Sequence, residues 1–259
     1  LTKWPLLASP QWVGFANYIK AFHDPLFYKS LINTTYYSAG SVGGGVIISF
    51  LAALLLNQKL KGVTVFRGIW YLPSVTAGVA VAILFTWLYN PEFGLFNYIL
   101  SKVGIKGPNW LWDENWAMPA LIIMSFWYIG PNMIIFLAGL QGIPQSLYEA
   151  SEIDGANVWQ RFCYITVPLM SPIIFLVLVI SLINSFQVFL QPYIMTQGGP
   201  ANATLTSLLY IYRNAFEYYQ MGYGATIAWM MLIVLLILTL IQFRISKYWV
   251  YYRGELKGR

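Results

Sequence analysis

Five stretches of this chain contain no charged residue, and they limit its fold more than any other feature. The stretches are 33–56, 68–91, 115–148, 162–212 and 218–243. A membrane-spanning helix needs about 20 consecutive, mostly apolar residues, so each stretch can hold a span. The fourth stretch is too long for one span, and the turn signals at Gln191-Pro192 and Gly198-Gly199-Pro200 place its span before them.

These stretches predict an all-α membrane protein with five transmembrane helices. We place the helices at roughly 33–57, 69–90, 117–141, 169–190 and 222–243. In the last span, eleven Leu, Ile, Val and Phe residues between 227 and 243 favour insertion by about 3 to 7 kcal/mol, whereas one central Lys or Arg would cost about 3 kcal/mol. Soluble core helices would need a polar face toward water, which five nearly uncharged helices in succession lack.

Composition excludes several classes of function. Charged residues make up 9% of the chain, well below the proportion of about a quarter that is typical of soluble domains. The single Cys and the single His exclude a disulfide framework and a paired-His metal site within the chain. The net charge of +6 indicates basic segments on the cytoplasmic side of a membrane rather than nucleic-acid binding.

Lysine and arginine predict the orientation of the spans. If the loop 58–68 and the tail 244–259 are cytoplasmic, nine cations lie on that side and six on the other. The cytoplasmic set is Lys59, Lys61, Arg67, Arg161, Arg244, Lys247, Arg253, Lys257 and Arg259, and the outer set is Lys3, Lys20, Lys29, Lys102, Lys106 and Arg213. We therefore expect an extracytoplasmic segment 1–32, a transmembrane domain 33–243 with a cytoplasmic loop 142–168, and the basic cytoplasmic tail.

Three local patterns add detail to this topology. Gly40 and Gly44 in the first span have the spacing of small residues that let membrane helices approach closely, and Ser41 and Gly45 form a second such pair, so we expect a neighbouring helix to pack there. The outer loop 91–116 contains the segment NWLWDENW, whose tryptophans we interpret as anchors at the membrane–water interface. Arg213 and Glu217 are four residues apart and predict a surface ion pair.

One polar segment interrupts the apolar chain between the third and fourth spans. Ser146 and Glu149 have the S-x-x-E spacing of a capping box, which predicts a short helix over 147–154. Gly155 suits the left-handed conformation that ends such a helix. The segment has three carboxylates and one Arg, whereas helices that rest on lipid are usually rich in Lys and Arg. Its polar face therefore favours a protein partner.

A second short helix is predicted after Asn157, which can cap it. We expect this helix to end at Pro168, where the fourth span takes over. Its apolar face, at spacings i, i+3, i+4 and i+7, consists of Trp159, Phe162, Cys163 and Thr166.

Two predicted spans carry polar or amphipathic side chains that usually face a cavity or a partner helix. The fourth span has Ser181, Asn184, Ser185 and Gln187, and the third has Trp127, Tyr128 and Asn132. Hydroxyls and amides can bind sugar hydroxyls, and aromatic rings can stack on sugar rings. The pattern leaves two interpretations open, a substrate path or hydrogen bonds between helices worth about 0.6 kcal/mol each.

The polar segment resembles a known motif. Glu149-Ala150-Ser151, three further residues, Gly155, nine further residues and then Ile165-Thr166-Val167-Pro168 is similar to the EAA motif of ABC importer permeases. The family form has Ala at the position of Ser151 and Leu at that of Val167. Further segments resemble the MalF-like sugar permeases, so the resemblance covers nearly the whole chain; they are 12–18, 148–150, 154–156, 196–200 and 210–222.

The resemblance implies the core of a type I ABC importer permease, with one more family helix ahead of the segment 12–18. Such permeases work as a pair, expected here as a heterodimer, with two ATPase subunits and an extracytoplasmic substrate-binding protein. The expected location is the plasma membrane of a bacterium or archaeon. The sequence has no G-x-x-x-x-G-K-[ST] phosphate loop, so we expect ATP and Mg to bind the ATPase subunits and this chain to be no enzyme itself.

The resemblance also implies roles for individual residues. It identifies the EAA helix as the element that docks on the ATPase, with the coupling residues Glu149, Ala150, Ser151, Asp154, Gly155 and Ala156. It places substrate contacts in the third and fourth spans, which implies a carbohydrate path lined by Asn184, Ser185, Gln187, Trp127, Tyr128 and Asn132. The outer loop 191–221 is expected to contact the binding protein.

Two other functions compete with an ATP-driven sugar permease. A secondary transporter or channel would normally use an intramembrane Asp, Glu or Lys for ion coupling, and none of the five predicted spans contains one. A membrane-embedded enzyme would need a His-rich or paired-carboxylate cluster, which this sequence lacks. The sugar stays open among a neutral disaccharide, a longer oligosaccharide, a uronate oligomer and glycerol phosphate.

Overall fold

A computed structural model describes residues 1–5, 9–58 and 61–251. Its first elements are two short antiparallel strands, β1 (Thr2–Lys3) and β2 (Gln11–Trp12), which the all-α prediction did not include. The described elements that follow them are helical. Four of the predicted cytoplasmic cations lie outside the described residues, as does the second half of the predicted basic tail; these cations are Lys59, Arg253, Lys257 and Arg259.

The helices are described by their residue ranges in chain order. They are α1 (Ala16–Phe22), α2 (Pro25–Leu56), α3 (Val63–Tyr71), α4 (Gly78–Leu88), α5 (Leu95–Lys102), α6 (Ala117–Ser125), α7 (Gly130–Gln141), α8 (Gln145–Ile153), α9 (Val158–Arg161), α10 (Val167–Phe186), α11 (Ser207–Tyr212) and α12 (Met221–Trp249). Tight 3₁₀ turns occur at Leu72–Val75 and Phe126–Tyr128, and wide π-helical turns at Phe162–Thr166, Pro192–Thr196 and Arg213–Glu217.

Three helices in the described part of the chain are long and apolar enough to cross a membrane. They are Pro25–Leu56, Val158–Phe186 and Met221–Trp249. Two more spans are obtained if each of two bent helix pairs is counted as one, namely Val63–Val75 with Gly78–Leu88 and Ala117–Tyr128 with Gly130–Gln141. On that count the five predicted spans correspond to five helical segments, two of which are interrupted.

Proline accounts for both interruptions. Pro73 lies in the 3₁₀ turn after α3, and it has no N–H to donate to a carbonyl of the preceding turn. Pro131 lies in the first two positions of α7, where the missing N–H costs little, so a new helix starts there. Neither break carries a charged residue, so the uncharged stretches gave no sign of an interruption. The predicted loop 58–68 is wrong in its second half, because α3 starts at Val63 and includes Arg67, whereas the predicted second span started at 69.

The predicted helix boundary at Pro168 is wrong. α9, the π turn after it and α10 form one continuous helix over Val158–Phe186. In the π turn the N–H of Val167 donates to the carbonyl of Phe162, five residues back, so the hydrogen-bond register changes just before Pro168. This change accommodates a proline that has no N–H to donate, and the predicted short helix merges with the fourth span.

The described residues group into two compact units, each assembled from three chain segments. Unit 1 consists of Leu1–Ser41, Thr76–Ser125 and Leu182–Leu238, and unit 2 of Val42–Val75, Phe126–Ser181 and the described part of Thr239–Arg259. The helices α2, α10 and α12 each contribute to both units, so neither unit is a continuous stretch of sequence.

Unit 1 has a core built around α11 and the start of α12. At its edge, the Oδ2 atom of Asp24 accepts hydrogen bonds from the hydroxyls of Tyr210 and Tyr223, each at 2.5 Å. The Oδ1 atom of Asp24 accepts a third from the N–H of Leu26 at 2.9 Å, at the start of α2. One carboxylate therefore ties together three helices. The buried core residues are Ala21, Phe27, Leu205, Leu209, Tyr210, Tyr223 and Ile227.

The tryptophan-rich loop of unit 1 has a core of its own. Trp110 is buried, its ring lies 5.4 Å from that of Tyr89, and its Nε1–H donates to the Oδ1 atom of Asn97 at 2.7 Å. Trp110 is therefore a packing residue rather than the predicted membrane anchor. Trp112 and Trp116 are exposed, as that prediction requires.

Unit 2 packs the second half of α2 against α7 and α10. A Cβ atom added at Gly44 would lie 2.4 Å from the Cζ atom of Phe126, whereas one at Gly45 would meet nothing within 4 Å. In unit 1, a Cβ atom at Gly40 would lie 2.7 Å from Ile122. The predicted close packing at Gly40 and Gly44 is confirmed, and the neighbouring segment is Ala117–Tyr128. The same prediction for the pair Ser41 and Gly45 is wrong at Gly45, which faces open space among the described residues. The buried core residues of unit 2 are Val46, Ala52, Ala53, Leu56, Met133, Phe136, Leu137, Leu140, Met170 and Val177.

Candidate functional site

The first helix of the candidate coupling loop, α8, begins two residues earlier than predicted. Its N-cap residue is Pro144, and no side chain caps the helix, so the predicted capping box of Ser146 and Glu149 does not form. Ser146 lies inside the helix because the extended backbone of Pro144 starts it earlier. The carboxylate of Glu149 instead accepts a hydrogen bond at 2.9 Å from the side-chain amide of Gln145, one turn away.

The end of α8 is the glycine turn that the sequence predicted. Gly155 has φ +79°, the left-handed region that residues with a Cβ rarely adopt. Its N–H donates to the carbonyl of Glu152 at 3.0 Å, and the N–H of Ala156 donates to that of Ser151 at 2.9 Å. These two bonds form a Schellman motif, which satisfies the last carbonyls of the helix. A Cβ atom at Gly155 would meet nothing within 4 Å, so the requirement for glycine is conformational.

The helix after the turn is capped as predicted. The Oδ1 atom of Asn157 accepts from the N–H of Gln160 at 2.8 Å, and the N–H of Asn157 donates to the Oε1 atom of Gln160 at 2.8 Å. This reciprocal pair is a capping box, which fixes where α9 begins. Gly155, Ala156 and Asn157 therefore make an ordered connection between two helices.

Two side-chain contacts that sequence reasoning missed join α8 to the helix that follows the turn. Arg161 forms an ion pair and hydrogen bond with Glu152. The hydroxyl of Tyr148 forms a hydrogen bond at 2.9 Å with the hydroxyl of Thr166, which is buried in the π turn. Tyr148 and Thr166 are 18 residues apart, and no local spacing rule connects residues across a turn of this kind.

The tip of the candidate coupling loop exposes large apolar side chains. Ile153, Val158 and Trp159 are 88%, 75% and 70% exposed. Glu149 and Asp154 are exposed on the same loop, as are Ala150 and Gly155, whereas Ser151 and Ala156 are half-buried. Apolar side chains that cluster on a surface beside charged ones are typical of a protein-binding site. The six predicted coupling residues thus lie together around one turn.

In unit 2, one candidate path residue already forms a hydrogen bond with a polar residue of the neighbouring span. The side-chain amide of Asn132 donates to the hydroxyl of Ser181 at 3.1 Å, joining α7 to α10. The hydroxyl of Tyr128 is buried and has no hydrogen-bond partner among the described residues. Trp127 is exposed. A cavity of about 670 Å³ elsewhere in unit 2, lined by Ile134, Leu169 and other apolar residues, contains none of these side chains.

In unit 1, the candidate path residues differ in their surroundings. Ser185 is buried, and its hydroxyl forms a hydrogen bond at 2.6 Å with that of Ser38 in α2, which is the contact that the interhelical interpretation expects. Asn184 is exposed near the end of α10, and Gln187 is exposed just after it. Neither of these two side-chain amides has a hydrogen-bond partner in the described part of the chain. For Asn184 and Gln187, unlike Ser185, the described contacts do not support the interhelical interpretation, and the substrate-path prediction stays a prediction.

The loop after α10 is held in place by polar contacts within unit 1. The amide of Asn33 in α2 donates to the carbonyls of Asn202 and Leu205 at 2.8 and 3.0 Å. The predicted ion pair of Arg213 and Glu217 is present, with 3.7 Å between Nε and Oε2. Among the described residues, no group of three or more His, Cys, Asp and Glu side chains could hold a metal ion.

Comparison with known proteins identifies the family. The sequence pattern of the family described as "Binding-protein-dependent transport system inner membrane component" matches residues 45–249. The probable ABC transporter permease protein YesP of Bacillus subtilis (strain 168) is 40% identical over 260 residues, which cover 98% of this chain and 84% of that protein. The arabinooligosaccharides transport system permease protein AraP of the same organism is 37% identical over 250 residues, covering 95% and 77%.

A solved structure shows the same fold. The crystal structure of a bacterial ABC transporter involved in the import of the acidic polysaccharide alginate contains a chain that matches with a TM-score of 0.82. The two chains are 27% identical, and the match covers 92% of this chain and 84% of that one. The chain belongs to the family of binding-protein-dependent transport system inner membrane components and has the fold of a type I ABC importer permease.

Proposed function

We propose that this chain is the permease subunit of an ATP-driven ABC importer for an oligosaccharide or a related sugar, and that it forms half of the translocation path. The observation that carries the proposal is the ordered helix–glycine turn–helix at 145–161, which leads directly into a membrane-spanning helix. Such an element can receive a push from a soluble protein and pass it to a span.

The exposed tip of this loop supports docking on a separate ATPase subunit. Burying Ile153, Val158 and Trp159 against a partner would remove large apolar side chains from water, and Trp is among the residues that most often dominate binding energy. The carboxylates of Glu149 and Asp154 would then match cationic groups at the rim of the partner's cleft. We propose that ATP and Mg bind that partner and that this chain takes no part in hydrolysis.

The assembly that we propose contains two permease subunits, two ATPase subunits and an extracytoplasmic binding protein. The loop 191–221, held to α2 through Asn33, is the surface that we assign to the binding protein. The relative AraP is named as a permease for arabinooligosaccharides, and the solved structure with the matching fold is a transporter that imports alginate. Their cargoes are polymers of sugars, so we propose the same class of substrate here.

Purification of the tagged chain with its partners tests this function. We expect an ATPase, a second permease and a binding protein to co-purify, and the binding protein to take up one of maltose, lactose, arabino-oligosaccharides, alginate oligosaccharides or glycerol phosphate. Proteoliposomes that contain the complex should then accumulate that compound only with ATP. Accumulation driven by an ion gradient without the ATPase would refute the proposal in favour of a secondary transporter.

The proposed orientation has a separate test. In a Cys163→Ser background, Val158→Cys should react with a membrane-impermeant maleimide only from the cytoplasmic side, because the coupling loop lies there. Val103→Cys, exposed in the loop after α5, should react only from the outside. Labelling of both cysteines from one side would contradict the predicted topology.

A further inference from the structure

The candidate coupling helix is joined to the next helix by two contacts of very different character. The ion pair of Glu152 and Arg161 lies at the surface, where water and salt screen such pairs and their contribution is small. The hydrogen bond of Tyr148 and Thr166 lies inside, since Thr166 is only 5% exposed and Tyr148 is half-buried. The Thr166 hydroxyl also donates to the carbonyl of Arg161, but at 3.5 Å this second hydrogen bond is long and lies within its own helix. The shorter bond to Tyr148 is shielded from water and therefore resists separation more strongly than the surface ion pair.

Thr166 lies at an unusual point in the chain. It is the last residue of the π turn Phe162–Thr166, directly before α10. Wide turns of this type interrupt the regular hydrogen bonds of a helix and are frequent at functional sites. The Tyr148 hydroxyl therefore attaches α8 to the place where the long helix is least regular and α10 begins.

The π turn is also packed independently of Tyr148. The ring of Phe162 lies 5.4 Å from Trp159 in a stacked pair and 6.3 Å from Phe50 of α2. Phe50 in turn packs edge-on against Phe136 of α7 at 5.2 Å. Because these aromatic contacts hold the π turn in place, removing the Tyr148 hydroxyl alone should leave the fold intact.

We infer that the Tyr148–Thr166 hydrogen bond is the positioning contact through which a displacement of α8 is transmitted to α10. The inference rests on the proposed function, in which α8 docks on the ATPase subunit. Without the bond, α8 can still dock and the ATPase can still work, but α8 moves without carrying the start of α10 with it. Tyr148 and Thr166 are thus positioning residues for transport rather than docking residues.

The test uses the complex of this chain with its partners in nanodiscs, so that no sugar has to be known. One measurement is the rate of ATP hydrolysis. The other is the ATP-dependent change in the rate at which N-ethylmaleimide labels Asn184→Cys, an exposed position near the far end of α10, in a Cys163→Ser background. Tyr148→Phe and Thr166→Val each remove one hydroxyl. Tyr164→Phe makes the same chemical change as Tyr148→Phe at a position in the π turn that is 80% exposed, and it is the control.

We expect Tyr148→Phe and Thr166→Val to hydrolyse ATP within about twofold of the parent rate, while the ATP-dependent change in labelling falls about fivefold, the factor expected for loss of one ordinary hydrogen bond. The double variant should lose no more than Thr166→Val alone, because Tyr148→Phe removes only the bond that Thr166→Val has already removed. Thr166→Ser keeps a hydroxyl and should restore the response, and Tyr164→Phe should behave as the parent.

Three results would overturn the inference. The first is a labelling response in Tyr148→Phe equal to that of Tyr164→Phe. The second is a Thr166→Ser variant as defective as Thr166→Val. The third is failure of Tyr148→Phe to assemble, because the bond would then serve the fold and not transmission. If the parent chain itself binds no ATPase subunit, the proposed function fails instead, and the two failures are thereby distinguished.

Discussion

At Gly155 a single backbone angle decides whether the candidate coupling loop can form. With φ +79°, a β-branched residue there is strained by about 1 to 3 kcal/mol, and the Schellman bonds of Ala156 and Gly155 are lost if the backbone relaxes. The strain would act on the tip that carries Ile153 and Val158. The backbone conformation that only glycine adopts easily is therefore also the one that shapes the proposed docking surface.

We predict that Gly155→Val lowers ATP-dependent transport at least tenfold in proteoliposomes, because the turn no longer presents α8 to the ATPase. Gly104→Val is a matched control, since Gly104 has φ +77° and equally open space but lies in the loop after α5. The control should keep transport. Transport by Gly155→Val at the control's rate, with normal ATPase association, would remove α8 from the coupling role.

Asp24 shows how one side chain can join distant parts of the chain. Burial by itself would raise the pKa of its carboxyl, but hydrogen bonds from Tyr210, Tyr223 and the N–H groups of Leu26 and Phe27 outweigh burial and hold the pKa below the usual value of 3.8. A lowered pKa means that the folded protein favours the carboxylate more than the unfolded chain does. The carboxylate therefore stabilises unit 1 above that value, and the stabilisation is lost as the pH falls through the folded-state pKa.

We predict that Asp24→Asn lowers the melting temperature of the purified protein at pH 6 and that its difference from the parent shrinks below about pH 3.8. Tyr210→Phe removes one of the four hydrogen-bond donors to this carboxylate and should show a smaller loss. Tyr218→Phe, exposed just after the π turn Arg213–Glu217, serves as the control and should melt like the parent. A constant difference across this pH range would show that Asp24 does not act through its charge.

At the scale of elements, two adjacent glycines in α2 have different surroundings: Gly44 contacts a neighbouring segment and Gly45 does not. A methyl group at Gly44 would lie 2.4 Å from the Phe126 ring, but one at Gly45 would meet open space. Both positions are inside α2, so replacing either by alanine improves helix propensity by a similar amount. Only the contact with Phe126 distinguishes the two substitutions.

We predict that Gly44→Ala destabilises the protein by about 1 to 3 kcal/mol through overpacking, and that Gly45→Ala is neutral or slightly stabilising. Thermal denaturation in detergent, followed by circular dichroism, measures the difference. Phe126→Leu should relieve part of the loss in Gly44→Ala. Equal melting temperatures for the two alanine variants would mean that α2 does not approach Phe126 this closely.

Helix ends that depend on a few neighbouring residues could be predicted from the sequence, whereas two other helix boundaries could not. The end of α8 at Gly155 and the cap of α9 at Asn157 were predictable because each depends on residues within about five positions. The capping box at Ser146 failed because Pro144 starts the helix earlier. The boundary at Pro168 failed because the π turn, whose hydrogen bonds span five residues, accommodates the proline without a break.

At the scale of the whole molecule, the side chains predicted to line a carbohydrate path fall into two groups, those that hydrogen-bond to another helix and those that do not. Asn184 and Gln187 have free amides, whereas Ser185 and Asn132 already bond to Ser38 and Ser181. If a sugar passes along α10, the free amides are the groups that can bind it. Loss of one such hydrogen bond would change the transport rate by a factor of about two to ten.

We predict that Asn184→Leu lowers the rate of ATP-dependent uptake by that factor, with ATP hydrolysis retained. Asn115→Leu makes the same change at an exposed position in the outer tryptophan-rich loop and should leave uptake unaltered. The sugar is the one that the co-purified binding protein accepts. If Asn184→Leu takes up the sugar as fast as Asn115→Leu does, Asn184 has no role in transport.

Composition and local pattern were enough to predict the membrane class, the approximate places of three long spanning helices and two bent helix pairs, and the polar loop with its glycine turn. These features depend on the cost of charge in lipid and on short-range hydrogen bonds, both of which can be read along the chain. Only the tertiary structure revealed which polar side chains form hydrogen bonds with each other. The pairs are Tyr148 with Thr166, Asp24 with Tyr210 and Tyr223, and Ser185 with Ser38. Such pairs are 18 to 199 residues apart and form only when helices pack, so no periodicity in the sequence marks them.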